Sequence, residues 1–416
     1  ILTSKNILRK ILMTELLNQI TTLSIADIAA PIGFHADGQH VGLKHKSKDL
    51  GWIYSDVIAS VAGVFTTNQV QAAPVQLDKK TIRNGQLQAI IVNSGNANAV
   101  TGSIGVSHAE SMQEFTAQQL NIDTSLVGVA STGIIGKVLP IDKIINGIKK
   151  LKIDGDTNGF AHAIMTTDTK EKSITIQSTI QGKIVTMSGV AKGSGMLHPN
   201  MATMLGFITT DINIDAKLLQ QALSEDVETS FNQITIDGDT STNDTVLVMA
   251  NGLAGHKMIE NHTAEYEQFK DMLHTVTTAL SIAIANDGEG ATKLIAVAVN
   301  HAQSALDARM VAKKIVGSSL VKTAIFGKDP NWGRIIAAIG ASNVDLNPNL
   351  IDISINKIAV LVNGAPADFD ADTMAEKLEE HDIHIDVDLH AGTESGCAWG
   401  SDLTYEYVKI NALYTT

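Results

Sequence analysis

The chain has a single cysteine, Cys397, in 416 residues. That excludes an intramolecular disulfide and a thiolate-rich metal site, and a reducing, cytoplasmic setting is expected. Cys397 sits in Ser395-Gly396-Cys397-Ala398-Trp399 with no neighbouring histidine to activate it, so it reads as a small apolar residue rather than a nucleophile. Aromatics are scarce at 4% against a hydrophobic share of 44%, which leaves the core to Ile, Val, Leu, Ala and Met. Positive charge is in the minority: 31 Lys and Arg against 44 Asp and Glu give a formal net charge of −13. Nucleic-acid binding needs a basic surface, so a small-molecule partner is favoured and nucleic acid is not expected. No apolar run approaches the length of a membrane span, and no membrane partner is expected. No Walker-type phosphate loop is present, and no Gly-x-Gly-x-x-Gly follows a strand, so nucleotide cofactors have no signature.

What is present points to a large layered chain. Its 416 residues exceed what one core normally supports, and predict two domains or one large α/β unit. Residues 1–12 are acid-free and carry Lys5, Arg9 and Lys10; they read as a disordered extension or artefact ahead of Met13. Segments 49–67, 87–92 and 126–131 read as strands. Residues 173–180 and 183–190 flank Gln181-Gly182 as a hairpin. Helices are expected at 103–120, from Pro140 to 151, at 215–231, 263–283 and 302–316. Further strands are expected at 245–250, 292–299, 320–326, 383–389 and 405–412. The class is α/β or α+β, with helices covering sheets.

Three patterns imitate metal sites. Asp154-Gly155-Asp156 opens like a calcium loop, but its twelfth position is Met165, which supplies no carboxylate. Asp368, Asp370, Asp372 and Glu379 have similar spacing, but Thr373 stands where a glycine is required, and a capped helix is expected there. His384, Asp386, Asp388 and His390 alternate with Ile383, Ile385, Val387 and Leu389, as the solvated face of a half-buried strand does. No metal is expected.

The informative stretch is central: Lys192-Gly193-Ser194-Gly195-Met196-Leu197-His198-Pro199-Asn200-Met201-Ala202-Thr203-Met204-Leu205-Gly206. A glycine-rich, proline-containing loop passes into an apolar run, and Thr203 stands at the junction. Pattern alone allows two readings, an ordinary loop entering a core strand or a nucleophile. For the second, the Thr203 hydroxyl must reach the Ala202 carbonyl and donors must stabilise the oxyanion. Cleavage would free an α-amine with an unperturbed pKa of about 7.7–8.0, able to act as base for its own hydroxyl.

Lys192 to Met196 and Pro199 to Leu205 resemble the self-cleaving motif of the ornithine acetyltransferase family. Other segments match that family in order: Val64 to Asn68, Ala72 to Val75, Asn93 to Ala99, Ser131-Thr132-Gly133, Thr166 to Thr169, Asp287 to Lys293, Val321 to Gly327, Asp329 to Ile335, Ala398 to Thr404 and Tyr407 to Ala412. The resemblance runs from about Gly33 to Thr416. It implies a layered sandwich of the N-terminal-nucleophile-like type. It also implies cleavage between Ala202 and Thr203 into an α chain (13–202) and a β chain (203–416), intertwined in one unit and assembled as an α2β2 heterotetramer.

The activity implied is glutamate N-acetyltransferase by a ping-pong route through acetyl-Thr203. Acetyl passes from N2-acetylornithine to glutamate, in arginine biosynthesis. No cofactor is implied; acetyl-CoA enters as the co-substrate that separates bifunctional members, which also act as amino-acid N-acetyltransferases, from monofunctional ones. By the same resemblance Thr132 and Gly133 form the oxyanion hole, and Thr167, Lys192, Thr203, Glu289, Asn411 and Thr416 contact substrate. Lys192 would take the α-carboxylate and Glu289 the distal ammonium of ornithine. Two positions depart from the family pattern: His198 lies at a variable place and receives no catalytic role, and Lys328 replaces a usual acid. The alternatives are a self-activating aminopeptidase or amidase, in which water resolves the acyl-enzyme, and a non-catalytic amino-acid-binding protein.

Overall fold

The computed structural model describes residues 20–198 and 204–413. The extension 1–12, the cleavage pair Ala202 and Thr203, and Thr416 lie outside the described residues. Two sheets organise the rest. The larger has nine strands. Its long path runs Thr21–Thr22, Lys172–Ile180, Lys183–Lys192, Leu205–Thr210, Thr245–Ala250, Leu50–Phe65, Gln86–Asn96 and Val127–Ile134, with Phe34–Gln39 paired to the start of Leu50–Phe65. Most neighbours are antiparallel, but Leu205–Thr210 is parallel to Thr245–Ala250, and Gln86–Asn96 to Val127–Ile134. Segments from both sides of the Ala202/Thr203 junction therefore interleave in one sheet. The second sheet has seven strands and is built entirely from residues beyond the junction, centred on Leu294–Ala302 between Asp382–Asp388 and Glu394–Ser401.

Local sequence explains the central pieces. Val246, Leu247, Val248 and Met249 are all fully buried, because Thr245–Ala250 is covered on both faces; a continuous apolar run is what such a strand needs. The hairpin at Gln181-Gly182 closes with φ of 49° and 75°, the left-handed pair a two-residue turn uses to match strand twist. Helix Ala264–Asn286 starts where the Thr263 hydroxyl accepts from the Tyr266 N–H, with Glu265 and Glu267 in its first turn. Its Phe269, Met272, Leu273, Val276, Leu280 and Ile284 recur at helical spacing, and each buried side chain contributes about 1.5–3 kcal/mol. They form one core with Ile208, Val246 and Val248 of the first sheet and Leu294, Ala296 and Trp399 of the second. This helix thus lies between the sheets. Helices Ala305–Val316, Ser319–Phe326, Trp332–Gly340 and Ala371–Glu379 contribute to a separate core with the second sheet. Among the described residues no helix is long and apolar enough to cross a membrane.

Two expected strands are helices. Residues 320–326 lie in helix Ser319–Phe326: the Ser318 hydroxyl accepts from the Val321 N–H, and the buried residues are Val321, Lys322, Ala324 and Ile325, a helical stripe rather than an alternation. Residues 405–412 lie in helix Tyr405–Leu413, which buries none of its residues; no core holds it extended, and the Thr404 hydroxyl accepts from the Tyr407 N–H at its start. The helix expected at 215–231 ends at Asp226, and Phe231–Gln233 is a short 3-10 turn. Asp370 caps helix Ala371–Glu379 through the Thr373 N–H, as expected for the second calcium-like spacing.

Candidate active site

A cleft of roughly 700 Å³, counting its open mouth, lies where the strands Val127–Ile134 and Lys183–Lys192 end and Leu205–Thr210 begins. Thr132 and Gly133 form one wall. Gly133 has φ of 127° and pairs with Gly95; a Cβ there would stand 2.5 Å from the Gly95 carbonyl carbon and 2.6 Å from the Asn96 nitrogen. Only glycine fits both the conformation and the space. The small-residue loop 93–99 braces this wall: Asn93 Nδ2 donates to the Asn96 carbonyl at 2.9 Å, and Ser131 Oγ donates to Asn93 Oδ1 at 2.6 Å. Across the cleft, Asn243 Nδ2 donates to the carbonyls of Ala97 (2.6 Å) and Ser131 (2.8 Å). The Thr132-Gly133 end of the strand is thereby held from two sides, the fixed geometry that an oxyanion site would need.

The opposite wall is charged. Lys192, last residue of its strand, sends Nζ to Thr166 Oγ1 at 3.2 Å. Burial lowers its pKa, while Asp168 and Asp244 pull the other way. Asp168 accepts from Lys172 Nζ (2.6 Å), from the Gly193 N–H (2.7 Å) and from the Thr166 N–H (3.0 Å). Burial alone would raise its carboxyl; Lys172 and Lys192 outweigh that and hold it at about 2. Lys172 Nζ also reaches Asp287 Oδ2 at 2.6 Å, so a buried ion triad ties the 166–172 loop to the segment carrying Glu289. Thr167 Oγ1 lies 2.8 Å from Ser194 Oγ, and the Glu289 N–H donates to the Ser194 carbonyl at 2.8 Å. A Cβ on Gly195 would stand 2.3 Å from Glu289 Oε2, so this glycine admits the carboxylate. Asn411 Nδ2 donates to that same oxygen at 2.8 Å.

The structure therefore brings together Thr132, Gly133, Thr167, Lys192, Glu289 and Asn411 in one cleft, beside Met204 and Leu205. Thr203 and Thr416 lie outside the described residues. Several contributors escaped sequence reasoning. Asp168 stands in the quoted Thr-Thr-Asp-Thr segment, whose acid was the available signal. Asn243 and Asp244 had none beyond lying just before a buried strand. Lys44 sends Nζ to the Met165 carbonyl at 2.8 Å and packs behind Gly95; burial lowers its pKa to about 8 against the pull of Asp49 and Asp168.

Residues 35–416 match the family model described as the ArgJ family. The chain belongs to the ArgJ family. This family member is 55% identical over 390 residues to the arginine biosynthesis bifunctional protein ArgJ of Streptococcus thermophilus (strain LMG 18311), covering 94% of this chain and 98% of that protein. To the protein of the same name from Listeria monocytogenes serotype 4b it is 57% identical over 392 residues, with the same shares covered. Among solved structures, the arginine biosynthesis bifunctional protein of Bacillus halodurans matches at 51% identity with a TM-score of 0.50, covering 51% of this chain and 100% of that one. Ornithine acetyltransferase of Mycobacterium tuberculosis, solved with ornithine, matches at 36% identity and a TM-score of 0.41, covering 44% and 99%. The ArgJ-family match and the two helix-covered sheets together bear out the layered fold expected from the ornithine acetyltransferase resemblance.

Proposed function

We propose that this chain is a self-cleaving acetyltransferase of arginine biosynthesis that moves acetyl from N2-acetylornithine to glutamate. The observation that carries the reading is the convergence, in one cleft, of Thr132, Gly133, Thr167, Lys192, Glu289 and Asn411 from segments far apart in the chain. Thr203 Oγ attacks the Ala202 carbonyl, the acyl group shifts from nitrogen to oxygen, and water hydrolyses the ester. Ala202 leaves with a carboxylate and Thr203 gains a free α-amine. That amine takes the hydroxyl proton as Thr203 attacks the acetyl carbonyl of N2-acetylornithine, then passes it to the departing ornithine nitrogen. The Thr132 hydroxyl and Gly133 N–H receive the oxyanion in each step. Glutamate's α-amine then attacks acetyl-Thr203 and leaves as N-acetylglutamate. Lys192 takes the substrate α-carboxylate; Glu289 and Asn411 take the distal ammonium of ornithine.

Acetyl-CoA is the second donor, a reading supported by the word bifunctional in the relatives' names. Cleavage is supported by the extent of the Bacillus halodurans match: that chain is covered in full yet spans 51% of this one. An α2β2 assembly in the cytoplasm completes the proposal. Mass spectrometry of the purified enzyme should give fragments meeting at Ala202/Thr203, and Thr203→Ala should abolish both cleavage and transfer. Active enzyme in one intact chain would overturn the mechanism, and acetylornithine hydrolysis independent of glutamate would favour an amidase.

A further inference from the structure

A second cleft, of roughly 1150 Å³ including its mouth, opens among helices Ala305–Val316, Ser319–Phe326 and Trp332–Gly340. The proposed reaction makes no use of it. The protein as a whole carries a charge of −13, yet this cleft is lined by Lys313, Lys314 and Arg334, and among the described residues no carboxylate lines it. Ser342 is 5% exposed and lines the cleft, and its buried hydroxyl has no hydrogen-bond partner among the described residues. An unmet buried hydroxyl is costly unless a ligand or water satisfies it.

Arg334 uses Nη1 to hold the Leu320 carbonyl (2.8 Å) and Thr323 Oγ1 (3.1 Å), which fixes the guanidinium and leaves its other N–H groups to a ligand. Lys313 Nζ donates to the Asn232 carbonyl at 2.6 Å. Burial, with Lys313 and Lys314 adding to it, lowers the His198 pKa to about 4, so the imidazole is neutral at the cleft wall. Apolar surface is offered as well, by Met310 and by Leu320, which is 61% exposed.

Charge, an unmet hydroxyl and apolar surface together suit an anion with an apolar or aromatic body, and a cavity volume of about 550 Å³ suits a nucleotide-sized one. The cleft also touches the catalytic loop. His198 lines it, while Met196 lines the active-site cleft, and two Cα steps separate them by at most about 8 Å.

We propose that this cleft binds the phosphate-bearing nucleotide end of acetyl-CoA, anchored by Lys314, Arg334 and Ser342. The choice of acetyl-CoA rests on the function proposed above; the anion site does not.

Calorimetric titration of the purified enzyme with adenosine 3′,5′-bisphosphate, the nucleotide end of coenzyme A, tests the site without turnover. The wild type should bind it, and more tightly than inorganic phosphate. Lys314→Glu, at an exposed position, should weaken binding about tenfold to hundredfold, and Ser342→Ala should weaken it less. The KM for acetyl-CoA should rise by a similar factor in Lys314→Glu at constant kcat, while the KM for N2-acetylornithine, which carries no phosphate, should hold. Absence of bisphosphate binding, equal binding by Lys314→Glu, inorganic phosphate binding as tightly as the nucleotide, or a parallel shift in both donors' KM values would each overturn the proposal. Bisphosphate binding in an enzyme that cannot use acetyl-CoA would overturn the acetyl-CoA assignment while leaving the anion site standing.

Discussion

Gly133 combines a φ of 127° with a backbone neighbour 2.5 Å from where a side chain would begin. A methyl group there displaces the strand end that carries the Thr132 hydroxyl and its own N–H. If Gly133 is the oxyanion donor proposed above, Gly133→Ala is expected to lower kcat about 10²–10³-fold, the usual loss for one such donor, with the far-UV spectrum unchanged; steady-state kinetics reads it directly. Asp168 makes the complementary case, in which charge rather than space is decisive. Its folded pKa of about 2 lies below the unfolded value of 3.8, so it adds stability above that unfolded value and loses it as pH falls toward 2. The difference is worth about 2 kcal/mol. Urea midpoints taken between pH 5 and pH 2 should fall, and Asp168→Asn should flatten that fall by about the same amount.

The C-terminal helix Tyr405–Leu413 buries no residue, yet it supplies Asn411 to Glu289. Its root is tied down, since the Thr404 hydroxyl donates to the Gly290 carbonyl at 2.7 Å and Asp402 accepts from the N–H groups of Thr292 and Lys293. Along it, packing comes from partly buried Tyr407 against the main core and from Tyr405 against Phe326. Truncation after Thr404 should therefore shift the melting temperature by only a few degrees, while raising the KM for N2-acetylornithine about tenfold or more; calorimetry and kinetics separate the two effects.

That helix also marks the limit of what the sequence discloses. Strand Thr245–Ala250 and the Gln181-Gly182 hairpin were legible because burial on both faces, and left-handed turn residues, leave local signatures. Segments 320–326 and 405–412 were not. An apolar run that short suits either period, and which one wins depends on partners distant in the chain. The same applies within the site. Glycines that admit a carboxylate or a strand end lay in motifs that could be named, whereas Asn243 bridging Ala97 and Ser131 is a contact between loops that no spacing announces.

At the scale of the molecule, the junction at Ala202/Thr203 falls between strands that are neighbours in one sheet. Lys183–Lys192 pairs antiparallel with Leu205–Thr210, and Leu50–Phe65 with Thr245–Ala250, over six residue pairs each. With helix Ala264–Asn286 filling the space above, the described residues of the two halves share one core. The fragments should co-purify through size exclusion and melt in a single transition, and two resolved transitions would contradict a shared core.

If the chain is cut as proposed, the shared sheet gives the cut an effect that catalysis never reports. Before it, an unfolded chain closes the Lys192–Leu205 connection as a short loop, at small entropic cost. Afterwards the same strand pair must form between separate molecules, so refolding becomes second order and slows as the protein is diluted. The uncut Thr203→Ala chain should recover from urea at a rate independent of concentration, whereas the processed enzyme should not. Maturation by the proposed cut would exchange a reversible fold for one whose lifetime is set by its unfolding rate.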